Sequence, residues 1–151
     1  MALFTFDDTT YILGNIREVD TRKVTIYVNN DKDLRKARVG QLVTIQLSGA
    51  TECWLVGMID KVIKALVTQS IVHEIDEENT DEILNAFEDT VVNTVKITLM
   101  GAARWDAIEQ KYKFSRSLDH VPEIDSICYV LKDAQLEEFM SVISESGDEK
   151  H

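Results

Sequence analysis

The segment Lys23-Val24-Thr25-Ile26-Tyr27-Val28 places an apolar β-branched residue at every second position. The later segment Thr94-Val95-Lys96-Ile97-Thr98-Leu99-Met100-Gly101 repeats that pattern. Strict alternation with β-branched and aromatic residues is typical of a strand that buries one face. These two stretches decide the fold class, because both predict a sheet that packs one face against a core.

Other segments continue the β pattern along the chain. Ile12–Val19 precedes the first strand across a short polar break, and this spacing favours an antiparallel hairpin. Gly57 lies inside the apolar segment Cys53–Val62, where a glycine indicates a bulge, a sharp bend or a close backbone approach. The further strand candidates are Leu42–Leu47, Val67–Ile75, Lys111–Ser115 and Pro122–Leu131. We predict a mainly β fold, a small closed β-barrel, because closure removes exposed strand edges.

Two helices are expected to accompany the barrel. Asn79, with Glu82 three positions later, has the pattern of a capping box, and apolar residues follow at helical spacing. An acidic helical insert is therefore predicted at about 74–91. Asp133 begins a second stretch of helical spacing. The predicted organisation is a lead-in at 1–9, a barrel at 10–132 that contains the insert, a closing helix at 133–145 and a frayed tail at 146–151.

The negative charge is concentrated in one segment. The chain carries a net charge of −11, and the stretch from Glu74 to Asp89 holds eight acidic residues and no basic one. Such a balance argues against a phosphate backbone as the main partner, because domains that bind nucleic acid gather lysine and arginine. The segment is either a solvated surface excursion or a docking surface for a basic partner. The second hypothesis assigns docking to Asp76, Glu77, Glu78 and Asp81.

The two tryptophans are predicted to have different roles. Trp54 lies in an apolar strand and is expected in the barrel core. Trp105 lies in the predicted connection between two strands, where a large amphipathic ring is suited to anchor an interface. Trp105 is therefore the fifth predicted docking residue.

The sequence lacks the patterns of the common catalytic and metal sites. No two of its six glycines have the spacing of a phosphate-binding loop, and none is followed by lysine. The three histidines have no second ligand at metal spacing, and the two cysteines are too far apart in sequence for a metal knuckle. We therefore predict no catalytic, metal-binding or cofactor-binding residue, and no enzyme activity for this chain. The absence of a secretory signal pattern at the start, together with the cysteine usage, favours a cytoplasmic location.

The order of the predicted elements resembles the N-terminal HAS-barrel of HerA-type ATPases. The similarity lies in the hairpin Ile12–Val28, in Val39–Ile45 and in Leu55–Val62. It also lies in the closing pattern Pro122-x-Ile124-x-x-Ile127-x-Tyr129, which is followed by Asp133-Ala134-Gln135-Leu136. It spans about residues 10–145. In that family a glycine commonly follows the isoleucine of the closing pattern, whereas Asp125 stands here.

The resemblance implies a parent protein that is a hexameric, ring-forming, ATP-dependent DNA translocase or helicase. Its ATPase core, with ATP and Mg²⁺, would follow residue 145, and DNA would be handled by that core. In the family the barrel does not hydrolyse ATP. It contributes to ring assembly and docks an effector, often a nuclease and, in bacterial antiphage operons, a sirtuin-type NAD-consuming enzyme. No catalytic residue is carried over to this chain, because the catalytic motifs of the family lie outside it.

A free-standing OB-like barrel that binds nucleic acid, or an independent adaptor, is the alternative to this interpretation. The net charge of −11 counts against nucleic-acid binding. The one basic cluster also lacks the interleaved aromatic residues on which single-stranded bases stack. That cluster consists of Lys32, Arg35, Lys36 and Arg38.

Overall fold

The fold was established from a computed structural model that describes residues 3, 4, 6, 11–47, 53–70, 87–118 and 121–148. Most of the described residues belong to β-strands. The elements, in chain order, are β1 (Ile12–Asp20), β2 (Lys23–Val28), α1 (Asp31–Leu34), β3 (Leu42–Gln46), β4 (Cys53–Ser70), β5 (Phe87–Asp106), β6 (Lys111–Ser115), β7 (Ile127–Val130) and α2 (Asp133–Asp148).

Six of the strands close into an antiparallel barrel, which confirms the predicted fold class. They follow the order β2-β1-β7-β3-β4-β5, and the ring closes where β2 pairs with β5, from Lys23 opposite Thr98 to Val28 opposite Asn93. β6 lies outside this ring as a further neighbour of β5. Closure leaves the six strands without a free edge inside the barrel, so edge-to-edge aggregation is suppressed there.

Apolar side chains fill the interior of the barrel. Val24 and Ile26 of β2, together with Ile97 of β5, have no exposed surface. Ile45 and Leu55, on neighbouring strands, are equally buried and belong to the same cluster. A barrel of about eight strands is just wide enough for side chains to fill its interior, and a barrel of six strands is narrower. The interior is therefore a packed core.

Gly57 lies at a shift in the register between β4 and β5, in agreement with its position inside an apolar strand. The pairing of β4 with β5 shifts between Val56 and Gly57. A Cβ atom on Gly57 would lie 2.6 Å from Cγ2 of Ile97 and 2.8 Å from the carbonyl oxygen of Thr98. Only glycine allows β5 to approach so closely, so two of the three predicted alternatives, a bulge and a close backbone approach, are confirmed at this position.

A second apolar cluster covers the outer face of β4 and β6, and it contains Trp54. The prediction that Trp54 lies in the barrel core is wrong, because alternation along β4 turns Leu55 inward and Trp54 outward. The indole is nevertheless buried, with Phe4 packed edge-on at 5.2 Å between ring centroids. Phe139 of α2 belongs to the same cluster, so the C-terminal helix is held on the barrel by this second core.

Three predicted boundaries differ from the structure. Residues 87–91, predicted as the end of the acidic helix, belong to β5, because pairing with β4 overrides the local helical spacing; the rest of that predicted helix lies outside the described residues. The strand predicted from Pro122 begins only at Ile127, after a turn in which Asp125 has a φ of 70°. α2 continues to Asp148, past the predicted end at 145.

Neither helix that the structure describes is long and apolar enough to cross a membrane.

Candidate functional surface

Of the predicted docking residues, the structure describes only Trp105. It lies within β5 and not on a connection, so its predicted position is wrong. The half-buried indole packs edge-on against Tyr112, with 5.2 Å between ring centroids, and borders the second apolar cluster. The ring therefore has packing contacts within the chain, and its role in docking stays a prediction. Asp76, Glu77, Glu78 and Asp81 lie outside the described residues.

The longest strand pair extends beyond the barrel. β4 and β5 remain paired as far as Ser70 opposite Phe87, whereas β3 pairs with β4 only as far as Met58 and β2 pairs with β5 only as far as Asn93. Residues 65–70 and 87–92 thus pair only with each other among the described strands. We call this two-stranded part the ribbon. At the base of the ribbon, the last backbone bonds from β4 to the segment before β3 are made by Ile59, and α1 lies beside Val62 and Lys64.

Apolar residues remain exposed on the ribbon and at its base. The barrel-facing row of β4 and β5 runs from Val62 opposite Val95, through Lys64 opposite Asn93, to the pair formed by Leu66 and Val91. Val95 is fully buried, but Leu66 is 66 % exposed and Val91 is 51 % exposed. The apolar face that lines the barrel interior therefore continues outside it without a cover among the described residues.

The short helix α1 marks the boundary between the covered and uncovered parts of this face. Asn30 caps it by accepting a hydrogen bond from the Asp33 amide at 2.7 Å. Lys64 reaches α1 through an ion pair with Asp31, at 3.0 Å between Nζ and Oδ1. Hydrogen bonding to Lys64 is the main cause that holds the pKa of Asp31 below its usual value, and Asn93 also contributes. Leu34 packs against the barrel core, so the apolar face is covered up to α1 and uncovered beyond it.

A surface groove of about 430 Å³ lies on the outer face of the same strands. Charged side chains of both signs line it, together with Val24 and Thr25: Glu18, Asp20, Lys23, Asp60, Lys61 and Lys96. Lys23 donates to Asp60 at 2.8 Å between Nζ and Oδ2, and the hydroxyl of Thr98 contacts the same carboxylate. Lys61 and Lys96 stand directly opposite each other across the strand pair. Like charges in that position oppose the pairing slightly.

The chemistry of this groove does not match that of an acid–base site. A general acid or base that works near neutral pH needs a carboxyl group whose pKa is raised by burial. The hydrogen bonds from Lys23 and Thr98 instead lower the pKa of Asp60, so this carboxyl group stays ionised. The groove can hold polar or charged groups by ion pairing, but Asp60 is not poised for proton transfer.

The described residues also lack the groupings that metal or thiol chemistry requires. They contain no cluster of three or more histidine, cysteine, aspartate or glutamate side chains that could hold a metal ion. Cys53 and Cys128 are free and buried. Desolvation raises the pKa of the Cys128 thiol above its usual value, which disfavours the reactive thiolate.

No family model matches the chain, and no curated protein matches it.

Sequence reasoning missed the ribbon, although one signal for it was present. The predicted strands Cys53–Val62 and Val67–Ile75 are joined by Ile63-Lys64-Ala65-Leu66, which contains no glycine, proline, asparagine or aspartate. Because turns depend on such residues, their absence indicates one continuous strand. β4 runs through this junction without a break.

Proposed function

We propose that this chain is a non-catalytic assembly and docking barrel, the N-terminal HAS-barrel of a HerA-like hexameric DNA translocase. In this proposal the ATPase core of the parent protein hydrolyses ATP with Mg²⁺ and moves DNA. The barrel contributes to ring assembly and holds an effector, a nuclease or a sirtuin-type NAD-consuming enzyme, in bacterial antiphage defence.

The observation that carries the proposal is the contrast between a filled interior and an uncovered outer surface. Apolar side chains occupy the barrel centre, so a substrate would have to displace core residues such as Ile26 and Ile97. On the outside, Leu66 and Val91 stay exposed on a strand pair that extends past the barrel. Exposed apolar residues grouped on one element mark surfaces that bind another protein. This combination favours binding over catalysis.

Extending the reading frame of the gene beyond His151 tests the family assignment. We expect a phosphate-binding loop, Gly-x-x-x-x-Gly-Lys followed by Ser or Thr, in the residues that follow the barrel. A stop codon directly after His151 would contradict the assignment and leave an independent adaptor as the function.

The docking part of the proposal is tested by replacing Asp76, Glu77, Glu78 and Asp81 with the matching amides. The test measures affinity for the nuclease or sirtuin-type protein encoded beside the chain, by calorimetry at low and high salt. Weaker binding at low salt is expected, because opposite charges attract less once four carboxylates are removed.

A matched control changes the net charge by the same amount at other sites. The control replaces four exposed glutamates with glutamine: Glu123, Glu137, Glu138 and Glu145. Equal affinities for the test variant, the control and the wild type at low salt would remove the acidic segment from the docking surface.

A further inference from the structure

The charged groove on the outer face of the barrel depends on a bulge in β4. The register runs from Ile59 opposite Ile97 directly to Lys61 opposite Lys96, so Asp60 has no partner on β5. Strict alternation would turn one of the two charged side chains of β4 toward the core. The extra residue lets Asp60 and Lys61 both line the groove, since a bulge re-aims the side chains beside it.

A second bulge, in β1, brings an acidic residue into the same groove. It follows Ile16 and sets Glu18 opposite Thr25. Thr25 lies opposite Lys96, and Lys96 lies opposite Lys61. One row of side chains thus crosses four strands on the outer face, and all four of its members line the groove. A carboxylate stands at one end of this row, and two ammonium groups stand at the other.

The two lysines of this row have no carboxylate of their own. Asp60 already accepts a hydrogen bond from Lys23 at 2.8 Å, and the hydroxyl of Thr98 contacts the same carboxylate. Hydrogen bonding to Lys23 is the main cause that lowers the pKa of Asp60, and the charge of Lys61 adds a smaller contribution. Within the described ranges, Lys61 and Lys96 make no hydrogen bond or ion pair. Like charges directly opposite each other destabilise a strand pair, so an anion between them would remove an unfavourable contact.

We propose that the groove binds a small molecule that carries a phosphate monoester at one end and an amine at the other. The phosphate group lies between Lys61 and Lys96. Its charge of about −1.5 to −2 near pH 7 matches two facing ammonium groups better than the single charge of a carboxylate does. The groove volume of about 430 Å³ lies in the range of small-molecule sites.

The acidic end of the groove selects the other end of the ligand. Glu18 and Asp20 of β1 are exposed, line the groove and make no ion pair with any described residue. Neighbouring strands lie about 4.8 Å apart, so the backbone of Glu18 is roughly 10 Å from that of Lys96, two strands away. Side chains from both ends can therefore reach one short ligand. The two carboxylates attract an ammonium group and repel a second phosphate, which disfavours polyphosphates and nucleic acid.

This inference goes beyond the proposed function and does not rest on it, because the groove lies on the barrel whatever follows the chain. Each can fail alone. A reading frame without an ATPase core leaves the groove untouched, and a groove that binds no phosphate leaves the family assignment untouched.

An NMR titration of the full 151-residue chain at constant low ionic strength measures binding, with phosphoethanolamine, inorganic phosphate and pyrophosphate as probes. We expect phosphoethanolamine to shift the resonances of the groove residues with a Kd of about 1 mM or tighter. Inorganic phosphate should bind at least about threefold more weakly, because it has no amine for the carboxylates. No binding of phosphoethanolamine up to about 10 mM, or tighter binding of pyrophosphate, would overturn the proposal.

Two lysine variants and one control test the phosphate end. Lys61→Gln and Lys96→Gln each remove one ammonium group, and we expect phosphoethanolamine to bind at least about fivefold more weakly. Lys32→Gln removes the same charge from an exposed position in α1 and should leave the affinity unchanged. Thermal unfolding is the second measurement: the ligand should raise the Tm of the wild type and the control more than that of the groove variants. Wild-type affinity in the folded groove variants, or equal weakening in all three variants, would contradict the site.

Glu18→Gln tests the amine end. We expect this variant to bind phosphoethanolamine about threefold more weakly and inorganic phosphate no more weakly than the wild type does, because only the amine contacts this carboxylate. Glu123→Gln, at an exposed position outside the groove, is the control and should bind both probes as the wild type does. Equal affinity of the Glu18→Gln variant and the wild type for phosphoethanolamine would refute the role of the acidic end.

Vesicles of phosphatidylethanolamine distinguish a free ligand from a lipid headgroup. We expect the chain to sediment with them no more than with phosphatidylcholine vesicles, because the phosphate of a lipid is a diester with a single charge. Sedimentation with the phosphatidylethanolamine vesicles alone, without binding of phosphoethanolamine, would overturn the assignment of a small soluble ligand.

Discussion

β4 and β5 run through two regions of the molecule that differ in their surroundings. In the barrel each strand has a neighbour on both sides, and residues such as Leu55 and Ile97 are fully buried. In the ribbon the same strands pair only with each other among the described residues, and Leu66 is 66 % exposed. Both regions carry apolar residues on the same face. An apolar strand face therefore stabilises the folded chain only where neighbouring strands close the sheet and bury that face.

The largest expected effect is a change in the free energy of unfolding that differs between the barrel part and the ribbon part of β4. We expect Leu55→Ala to lower the free energy of unfolding by about 3 kcal/mol, because it removes apolar contacts and leaves a cavity in the barrel core. The matched substitution Leu66→Ala should change it by less than about 0.5 kcal/mol, since the side chain is mostly exposed in the free chain. Urea denaturation of dilute protein measures both values. Equal losses at the two positions would contradict the contrast between barrel and ribbon.

A smaller loss of stability is expected at Gly57, where β4 and β5 approach each other closely. Gly57→Ala should destabilise the chain by about 2 kcal/mol, because the new Cβ atom would contact Ile97 and the backbone of Thr98, and backbone gives way poorly. Met58→Ala, at the neighbouring half-exposed position, should cost less than about 1 kcal/mol. Thermal or urea unfolding compares the two. A Gly57→Ala variant as stable as the wild type would show that the close approach is not needed for closure.

The smallest effect concerns the charged groove on the outside of the barrel. The pKa of Asp60 is lowered in the folded chain by Lys23 and Thr98, so its stabilisation is present above the unfolded-state pKa and is lost as the pH falls through the folded-state value. We expect Asp60→Asn to cost only about 0.5 kcal/mol near pH 7, since the ion pair is partly exposed and screened. Asp20→Asn, in the same groove, is the control.

Urea titrations of the wild type, Asp60→Asn and Asp20→Asn near pH 7 and near pH 3 measure this dependence. The difference between the wild type and Asp60→Asn should shrink at the lower pH, because Asp60 then approaches the uncharged form that asparagine has at every pH. A difference that grows as the pH falls would have the wrong sign for a carboxyl group whose pKa is lowered on folding.

Local sequence patterns predicted much of the barrel but little of its outer surface. The alternation in Lys23–Val28 and the segment Lys111–Ser115 match β2 and β6 residue for residue. The helix that was predicted from apolar spacing up to Val91 is wrong at that residue, because Val91 pairs with Leu66 in the ribbon. The prediction for Trp54 was wrong because a sequence does not show which face of a strand a later helix will cover. The predicted position of Trp105 was wrong because β5 continues to Asp106.

The sequence by itself determined that the chain forms strands with one apolar face and that such strands close into a barrel. The alternation that specifies a buried face is a property of neighbouring residues, so it can be recognised without knowing the fold. Only the tertiary structure decided where closure stops, because the partner of each strand depends on the length and register of strands distant in sequence. β3 and β2 end before β4 and β5 do, and this difference alone turns part of one apolar face into core and leaves the rest uncovered.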